Sequence, residues 1–408
     1  TCAEKSGADI FICEIGGTVG DIEAEPYLEA IRQLHHEEGH HTILFVHLVL
    51  LPYMKSSGEL KTKPAQSSVR ELRKIGINAD IILCRFDDDH IDREHLEKIA
   101  LFCDVPMEAV IPAPTVASIY EVPLNFDKSN IVKLITHHFR VDHRVPELRE
   151  WEEFTKKISS NLPEVQIALV GKYTGLKDAY YSVIEAVKTA GYHNNVKIDI
   201  VWIDAEKIEK DGEEGKKEWE HLKKVKGIVV MGGFGKRGAE GKIAVARYAR
   251  ENNIPYLGLC LGMQIAAIEF ARHVLGLTDA NSAEFDETTK NPVIYLMESQ
   301  KDIHKKGGTM RLGDFACRIK KDSKSFTAYG AEDVVERHRH RFEFNNAYKE
   351  AFEKNGMVVA GVNPETGLCE ILENKNHPWF VGVQSHPEFK SRPLRPHPLF
   401  RDFITATL

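Results

Sequence analysis

The chain has 408 residues and a formal net charge of −7, and this length predicts two domains rather than a single core. The mild acidic charge offers no basic surface for a polyanion, which excludes nucleic acid as an expected partner. No apolar run approaches the ~18 residues that a membrane helix needs, so no membrane partner is expected. The seven cysteines are scattered without a CxxC pair, a usage typical of a reducing, cytoplasmic compartment.

The first 140 residues alternate between strand-like and helix-like segments. Apolar runs at 9–15 (DIFICEI), 42–51 (TILFVHLVLL) and 79–86 (ADIILCRF) predict buried parallel strands. Apolar residues at helical spacing predict helices at 26–39, 65–76 and 127–139. The proline-rich stretch 110–123 (VIPAPTVASIYEVP) predicts a loop.

A second alternation follows a charged connecting stretch. Residues 141–164 are rich in Arg, Glu and Lys and predict a linker that contains a helix. Strand patterns then recur at 165–173, 197–204, 227–233 and 254–260, separated by helical patterns. The sequence therefore predicts an α/β chain with two doubly wound parallel-sheet domains, 1–140 and 165–408.

A cysteine stands where the predicted strand 254–260 meets the helix that follows it. In GLCLG (258–262), the glycines on either side of Cys260 relieve crowding in a sharp turn that can lift a nucleophile out of the sheet. The amino-terminal dipole of the following helix favours the thiolate form. A buried packing cysteine fits this short pattern equally well, because free cysteine is commonly buried.

Two further motifs favour the nucleophile. The glycine cluster in GIVVMGGFGKRG (227–238) can donate backbone amides to an oxyanion, together with the amide of Leu261. In WFVGVQSHPEF (379–389), His386 and Glu388 lie two residues apart, and such side chains project to the same side of an extended segment. Glu388 can then orient His386 as the base that takes the thiol proton. The three motifs in this order predict a Cys–His–Glu triad.

These motifs resemble the class I, or triad, glutamine amidotransferase family. The resemblance implies that Cys260 attacks the glutamine amide, forms a thioester and releases ammonia. It also implies a set of residues that hold glutamine: Gly233, Leu261, Gly262, Met263, Gln264, Glu284 and Arg341.

Longer segments across the whole chain are similar to the CTP synthase family. They are EIGGTVGDIEAEPYLEAIRQ (14–33), GELKTKPAQSSVRELRKIGI (58–77), GGTMRLG (307–313), VERHRHRFEFN (335–345) and NHPWFVGVQSHPEF (376–389). The resemblance implies a synthetase domain that phosphorylates the uracil O4 of UTP with Mg-ATP and then replaces that phosphate with ammonia. It further implies CTP as feedback inhibitor, GTP as allosteric activator and a homotetramer.

The first domain has residues suited to such a nucleotide site. Glu14, Asp21 and Glu23 lie among glycines in EIGGTVGDIE, and carboxylates beside phosphates are natural Mg²⁺ ligands. Lys61 and Lys63 in KTKP suit a triphosphate.

The family resemblance assigns individual roles here. It implies Glu14 as a magnesium ligand, Lys98 as a nucleotide contact, and Asp21, Ile22 and Glu23 as the CTP feedback site. The implied UTP and CTP phosphate loop is Lys61, Thr62, Lys63, Pro64, Ala65 and Gln66, and the implied ATP contacts are Pro114, Thr115 and Val116.

The sequence departs from the family pattern in four ways. Ala65 replaces a usual threonine, Ser385 replaces a common aromatic, and the segment from Met297 to Gly307, which bears on the GTP site, is short. The chain contains no glycine-rich phosphate-binding loop that ends in GK(S/T). We therefore expect the family's phosphate-binding loop and a second magnesium carboxylate to precede residue 1, with apolar surface exposed beside 9–15 and a tendency to associate.

Three alternatives to CTP synthesis remain open at this point. One is another triad amidotransferase, such as a GMP synthase, against which GGTMRLG and KTKPAQ argue. The second is a non-catalytic assembly subunit, for which a retained triad has no use. The third is that this chain acts only as a weak glutaminase and makes no CTP from UTP, ATP and ammonia.

Overall fold

A computed structural model of the chain describes residues 2–87, 91–172, 177–210, 212–296 and 310–408. The chain forms two compact units, which we call unit 1 (Thr1–Lys156) and unit 2 (Lys157–Leu408). Within the described ranges, no helix combines the length and the apolar character needed to cross a membrane.

Unit 1 is built on a parallel sheet of three strands in the order β1-β4-β5. Helices α3 and α4 cover it with apolar side chains such as Val69 and Ile99. The strands of this sheet are β1 Val46–Leu50, β4 Ile81–Phe86 and β5 Val110–Pro114, and β2 Tyr53–Met54 pairs separately with β3 Glu59–Leu60. The helices are α1 Cys2–Ser6, α2 Glu25–Glu38, α3 Lys63–Lys74, α4 Arg93–Cys103, α5 Val122–Lys128, α6 Ile131–His138 and α7 Arg149–Ile158, which crosses into unit 2.

The strand expected at 9–15 is wrong. In the part of the chain that the structure describes, the segment belongs to no sheet, and Ile10, Phe11 and Ile12 are 65%, 51% and 89% exposed. Apolar residues make a strand only where a neighbouring strand completes the backbone hydrogen bonds, and this segment pairs with none. The strand expected at 42–51 is shorter than predicted, because β1 covers only Val46–Leu50. It is also buried on one face only: Val49 is buried whereas Leu48 is 61% exposed.

The loop expected at 110–123 is wrong in part, because its first five residues form β5. Pro112 and Pro114 lack the N–H of a normal strand residue and are tolerated only at a sheet edge. The order β1-β4-β5 places β5 at such an edge.

Unit 2 contains a sheet of nine strands in the order β13-β12-β15-β16-β17-β9-β8-β6-β7. The strands from β17 to β7 are parallel. The remaining strands are antiparallel, an extension that the strand–helix alternation did not predict. Its nine strands are β6 Glu164–Gly171, β7 Lys197–Asp204, β8 Gly227–Val230, β9 Tyr256–Leu259, β12 Arg311–Ile319, β13 Asp333–His340, β15 Met357–Val362, β16 Cys369–Asn374 and β17 Phe380–Val383. A separate sheet of three strands contains β10 Ala280–Ser282, β11 Asn291–Leu296 and β14 Phe342–Phe344.

Both faces of this large sheet are covered, as a doubly wound fold requires. Along β6, Ala168 and Val170 pack into one core with helices α11 and α12, and Ile167 and Leu169 pack into another with α8 and α15. This is the period of two expected of a strand buried on both faces. The helices are α8 Tyr181–His193, α9 Ala205–Ile208, α10 Glu213–Leu222, α11 Ala239–Glu251, α12 Leu261–His273, α13 Lys324–Tyr329, α14 Lys349–Lys354 and α15 Pro398–Thr405.

Some of the sequence expectations fall on residues outside the described ranges. These are the end of the segment 165–173 at Tyr173, the short stretch from Met297 to Gly307, and the first residues of GGTMRLG.

Two leucines of the large sheet provide a matched test of its core. Leu372 in β16 is 1% exposed and Leu312 in β12 is 62% exposed. Leu372→Ala leaves a cavity and should lower the free energy of unfolding by about 2–5 kcal/mol. Leu312→Ala should change it by less than ~0.5 kcal/mol. Urea unfolding of both variants measures the difference, and equal effects would contradict the core described here.

Candidate active site

Cys260 occupies a strained turn between β9 and α12. Its φ of 50° and ψ of −100° are rare for a residue with a side chain, and such strain clusters at functional sites. The turn packs so closely that a Cβ on Gly262 would lie 2.2 Å from the carbonyl oxygen of Val230. The amide of Cys260 donates to the carbonyl of Val383 over 2.7 Å, which fixes the turn against β17.

His386 reaches the same sheet edge from the neighbouring strand. Strands β9 and β17 are parallel, so Cys260 and the residues after Val383 follow strand ends that lie side by side. His386 Nδ1 lies 2.8 Å from Glu388 Oε1. A Cβ on Gly232 would lie 3.1 Å from His386 Cε1 and 3.6 Å from Cys260 Cβ, so this glycine lets the two side chains approach. The structure thus brings the three predicted triad residues together.

The surroundings of His386 favour its protonated form. Burial alone lowers the pKa of this imidazole, but the hydrogen bond and the charge of Cys260 raise it. The hydrogen bond and charge of Glu388 raise it further, and the resulting pKa is about 10. At neutral pH this arrangement holds an imidazolium beside the sulfur of Cys260.

The buried side-chain amides of Gln384 and Gln264 lie near the thiol of Cys260. Gln384 Nε2 lies 3.7 Å from Cys260 Sγ. Gln264 Nε2 donates to Gln384 Oε1 over 3.2 Å and to the carbonyl of Phe342 over 3.0 Å, which fixes the Gln384 side chain. Gln384 was not predicted from the sequence, although it lies two residues before His386 in the motif WFVGVQSHPEF.

The residues expected to hold glutamine divide into two groups. Gly233 lies beside Leu261 and Lys172, since a Cβ on Gly233 would lie 3.8 Å from both Leu261 Cδ2 and Lys172 Cε. Glu284 accepts a hydrogen bond from the amide of Gly235 over 2.7 Å, and the charges of Lys172 and Arg341 act on it. Burial raises the pKa of Glu284, against the Gly235 amide hydrogen bond and the charges of Lys172 and Arg341. By contrast, Gly262, Met263 and Gln264 have buried side chains or none, so of these three only backbone atoms can meet a ligand.

Lys242 is a second residue that the sequence did not reveal. It lies in the first turn of α11, is 1% exposed and donates to the carbonyl of Met231 over 3.0 Å. Burial lowers the pKa of Lys242 to about 7, the charge of Lys172 acts in the same direction, and Cys260 opposes it. A lysine in AEGKIAVARYAR has the pattern of a solvated helix face, and nothing in the local sequence marks it as buried.

In unit 1, a cavity of about 600 Å³ brings Glu14, Asp21 and Glu23 together, with Gly16 and Gly17 in its wall. Ile22 is 80% exposed and is not among the lining residues. Mg²⁺ is usually held by one or two carboxylates plus phosphate oxygens and water. The carboxylates in this cavity fit that requirement.

The expected phosphate loop runs into the amino terminus of α3. Thr62 precedes the helix, and Gln66 Nε2 donates to its hydroxyl over 3.2 Å. Lys63 is exposed, whereas Lys61 forms an ion pair with Glu59. Ala65 is 1% exposed and packs in the core, so the expectation that it contacts a ligand cannot hold for its side chain.

The expected ATP contacts Pro114, Thr115 and Val116 lie at the carboxyl edge of the sheet of unit 1, where α/β sheets bind ligands. The Thr115 hydroxyl donates to Asp87 Oδ1 over 2.6 Å and fixes this segment. Lys98 is exposed in α4.

Comparisons with known proteins decide the family. The family model "CTP synthase N-terminus" matches residues 1–141, and "Glutamine amidotransferase class-I" matches residues 175–406. The CTP synthase of Symbiobacterium thermophilum is 55% identical over 407 residues, which cover 100% of this chain and 75% of that protein. The CTP synthase of Roseiflexus sp. strain RS-1 is 54% identical over 405 residues, which cover 99% and 72%. The chain belongs to the CTP synthase family.

A solved structure supports the amidotransferase fold of this CTP synthase family member. The glutaminase domain of Trypanosoma brucei CTPS with bound acivicin is 40% identical, with a TM-score of 0.56, and the match covers 60% of this chain and 93% of that domain. The α/β fold with parallel sheets, predicted from the sequence, is confirmed.

The buried Lys242 predicts a pH dependence of stability. Its pKa in the folded chain, about 7, is below the ordinary value of 10.5, so between these values the unfolded chain binds more protons. Stability should therefore rise with pH across this window by up to about 1.4 kcal/mol per pH unit from this residue. Lys242→Met should lose that slope when unfolding free energies are measured from pH 7 to 10. An unchanged slope would contradict a buried lysine.

Proposed function

We propose that unit 2 hydrolyses glutamine through Cys260, His386 and Glu388, and that the released ammonia aminates UTP to CTP at the expense of ATP. The observation that carries this proposal is the convergence of these three side chains on the strained turn. We further assign residues 1–140 to a synthetase domain, 141–164 to a linker and 165–408 to the amidotransferase domain.

The thiolate of Cys260 attacks the side-chain carbonyl carbon of glutamine. Negative charge develops on the carbonyl oxygen and is stabilised by backbone amides at Leu261 and in the glycine cluster 232–235. The imidazolium of His386 gives its proton to the leaving nitrogen, so that ammonia departs and a thioester remains. His386 then takes a proton from the water that hydrolyses the thioester, while Glu388 fixes its orientation.

Charges beside the thiol match the ends of a free amino acid. Glu284 can accept hydrogen bonds from the α-ammonium group, and Lys172 and Arg341 can contact the α-carboxylate. The charges of Lys172 and Arg341 act to lower the pKa of Glu284, which supports the proximity of these three side chains. Glutamine held this way points its amide toward Cys260.

In unit 1, the phosphates of UTP would meet Lys61 and Lys63 and the backbone amides at the start of α3, a natural anion site. Glu14 would hold Mg²⁺, which supplies neutralising charge to the phosphates when it is bound. Thr115 and its neighbours would contact ATP at the carboxyl edge of the sheet.

The family resemblance supports several finer proposals. These are CTP feedback inhibition at Asp21, Ile22 and Glu23, GTP activation, a homotetramer and a cytoplasmic location. A second candidate function is a glutaminase or assembly subunit without CTP synthesis, and following CTP and glutamate separately in one assay distinguishes it. Release of glutamate without CTP would favour that second candidate.

The triad predicts graded losses of glutamine hydrolysis. Cys260→Ala should reduce glutamate release to the uncatalysed background, because the nucleophile is gone. His386→Ala should lower kcat by roughly 10²–10⁴-fold, and Glu388→Gln should lower it less, because the imidazole remains. Cys103→Ala, a change in the core of unit 1, is the matched control. Hydrolysis retained in Cys260→Ala would refute the triad and leave the nucleotide proposal untouched.

The phosphate loop predicts a difference between two lysines of α3. Lys63 begins this helix and Lys74 ends it. Lys63→Ala should raise the Kd for UTP about 10-fold or more, since a hydrogen bond to a charged group is lost. Lys74→Ala should leave the Kd unchanged. Calorimetric titration of both variants with Mg-UTP measures this, and equal affinities would remove Lys63 from the site.

A further inference from the structure

Three side chains from separate segments of unit 1 converge away from the nucleotide residues. His40, Asp80 and His138 each offer one ligand atom, and these atoms lie within 4.8 Å of one another. His40 follows α2, Asp80 immediately precedes β4 and His138 ends α6. In the part of the chain that the structure describes, this is the only such group of His, Cys, Asp or Glu side chains.

Two of the three side chains are already oriented by bonds to the backbone. His138 Nε2 lies 2.9 Å from the carbonyl oxygen of Ile43, to which it donates, so Nδ1 keeps its lone pair. Asp80 Oδ2 accepts from the amide of Phe45 over 2.8 Å, which leaves Oδ1 available. A ligating histidine normally donates its other N–H to a carbonyl or carboxylate, and this backing fixes its tautomer and ring direction.

The distance between these two free atoms suits a shared ion better than a direct bond. His138 Nδ1 lies 3.7 Å from Asp80 Oδ1, which is too long for a hydrogen bond. Two ligands of a tetrahedral Zn²⁺ ion, with bonds of ~2.0–2.1 Å, lie about 3.4 Å apart. The side chains of Asp80 and His138 are only 19% and 9% exposed, so the pair is partly shielded from water.

The third ligand comes from a turn after α2. His40 and His41 occupy the middle of a turn in which the amide and hydroxyl of Thr42 bond to the carbonyl of Gly39. His41 Nδ1 lies 3.0 Å from the carbonyl oxygen of His138, which anchors this turn to the end of α6. The ring of His40 lies 4.9 Å from the ring of His138. The turn thus places the exposed His40 with its ligand atom within 4.8 Å of those of Asp80 and His138.

We propose that His40, Asp80 and His138 bind one Zn²⁺ ion, with water in the fourth position. Two imidazoles and one carboxylate are donors typical of zinc sites, whereas Mg²⁺ prefers oxygen alone. The ion joins three segments that are far apart in sequence, and it stabilises unit 1 by binding the folded chain only.

The test begins with the full 408-residue chain after metal removal, titrated calorimetrically with Zn²⁺. Wild type should bind one ion per chain, and binding should weaken in acidic buffer because ligating imidazoles must be neutral. His40→Ala should weaken binding by at least about 10–100-fold. His36→Ala replaces an exposed histidine at the end of α2 outside the cluster and should bind as wild type does. Cys260→Ala should also retain the site.

Thermal unfolding separates loss of the ligand from loss of the fold. With EDTA, wild type, His36→Ala and His40→Ala should share one Tm, because His40 is exposed. At free Zn²⁺ about 100 times the Kd, the transition of unit 1 should rise by about 5–10 °C in wild type and His36→Ala, but not in His40→Ala.

A cysteine introduced at the site gives a direct signature. With Co²⁺ in place of Zn²⁺, wild type should show the visible bands of a nitrogen and oxygen site without thiolate charge transfer. His40→Cys should add that charge-transfer band, because the new thiolate then binds the ion. Equal Zn²⁺ binding by wild type and His40→Ala, absence of 1:1 binding, or loss of the site in Cys260→Ala would each overturn the proposal.

Discussion

The strained turn at Cys260 is the constraint on which the rest of unit 2 depends. A residue with a side chain adopts φ 50° there, and Gly262, two positions later, packs against the backbone of β8. Strand β9 leads into the turn, and the parallel strands β17 and β8 pair with β9 on its two sides and hold this geometry. The same pairing brings the segment containing His386 and the glycine cluster to one sheet edge. The fold and the reactive centre therefore share a single cause.

Two histidines of unit 2 differ in protonation because the groups beside them differ. Burial lowers the pKa of His338 to about 3, with the positive charges of Arg311 and His386 acting in the same direction. The side chain of His386 is also largely shielded from water, at 14% exposed, yet the cysteine and carboxylate beside it raise its pKa to about 10. Two histidines in one unit thus take opposite protonation states at neutral pH.

Local sequence patterns predicted those features that depend on residues close together in the chain. The strand–turn–helix at 254–273 and the pair His386 and Glu388 follow from neighbouring residues, and both were predicted. The segment 9–15 failed because a strand depends on a partner that its own residues do not specify. Lys242 and the group of His40, Asp80 and His138 were missed for a related reason: burial and convergence are properties of distant segments. Ala65 shows the same limit, since core packing decides its exposure.

The close approach at Gly232 has a consequence for how the thiol behaves as a chemical probe. His386 approaches Cys260 across a gap that a glycine leaves open. In the unfolded chain that neighbour is absent, and Cys260 is then an ordinary thiol among seven. Under the proposed mechanism, its reactivity toward alkylating reagents is therefore a property of the native state. Alkylation of Cys260 faster than that of the other six thiols then marks unit 2 as folded.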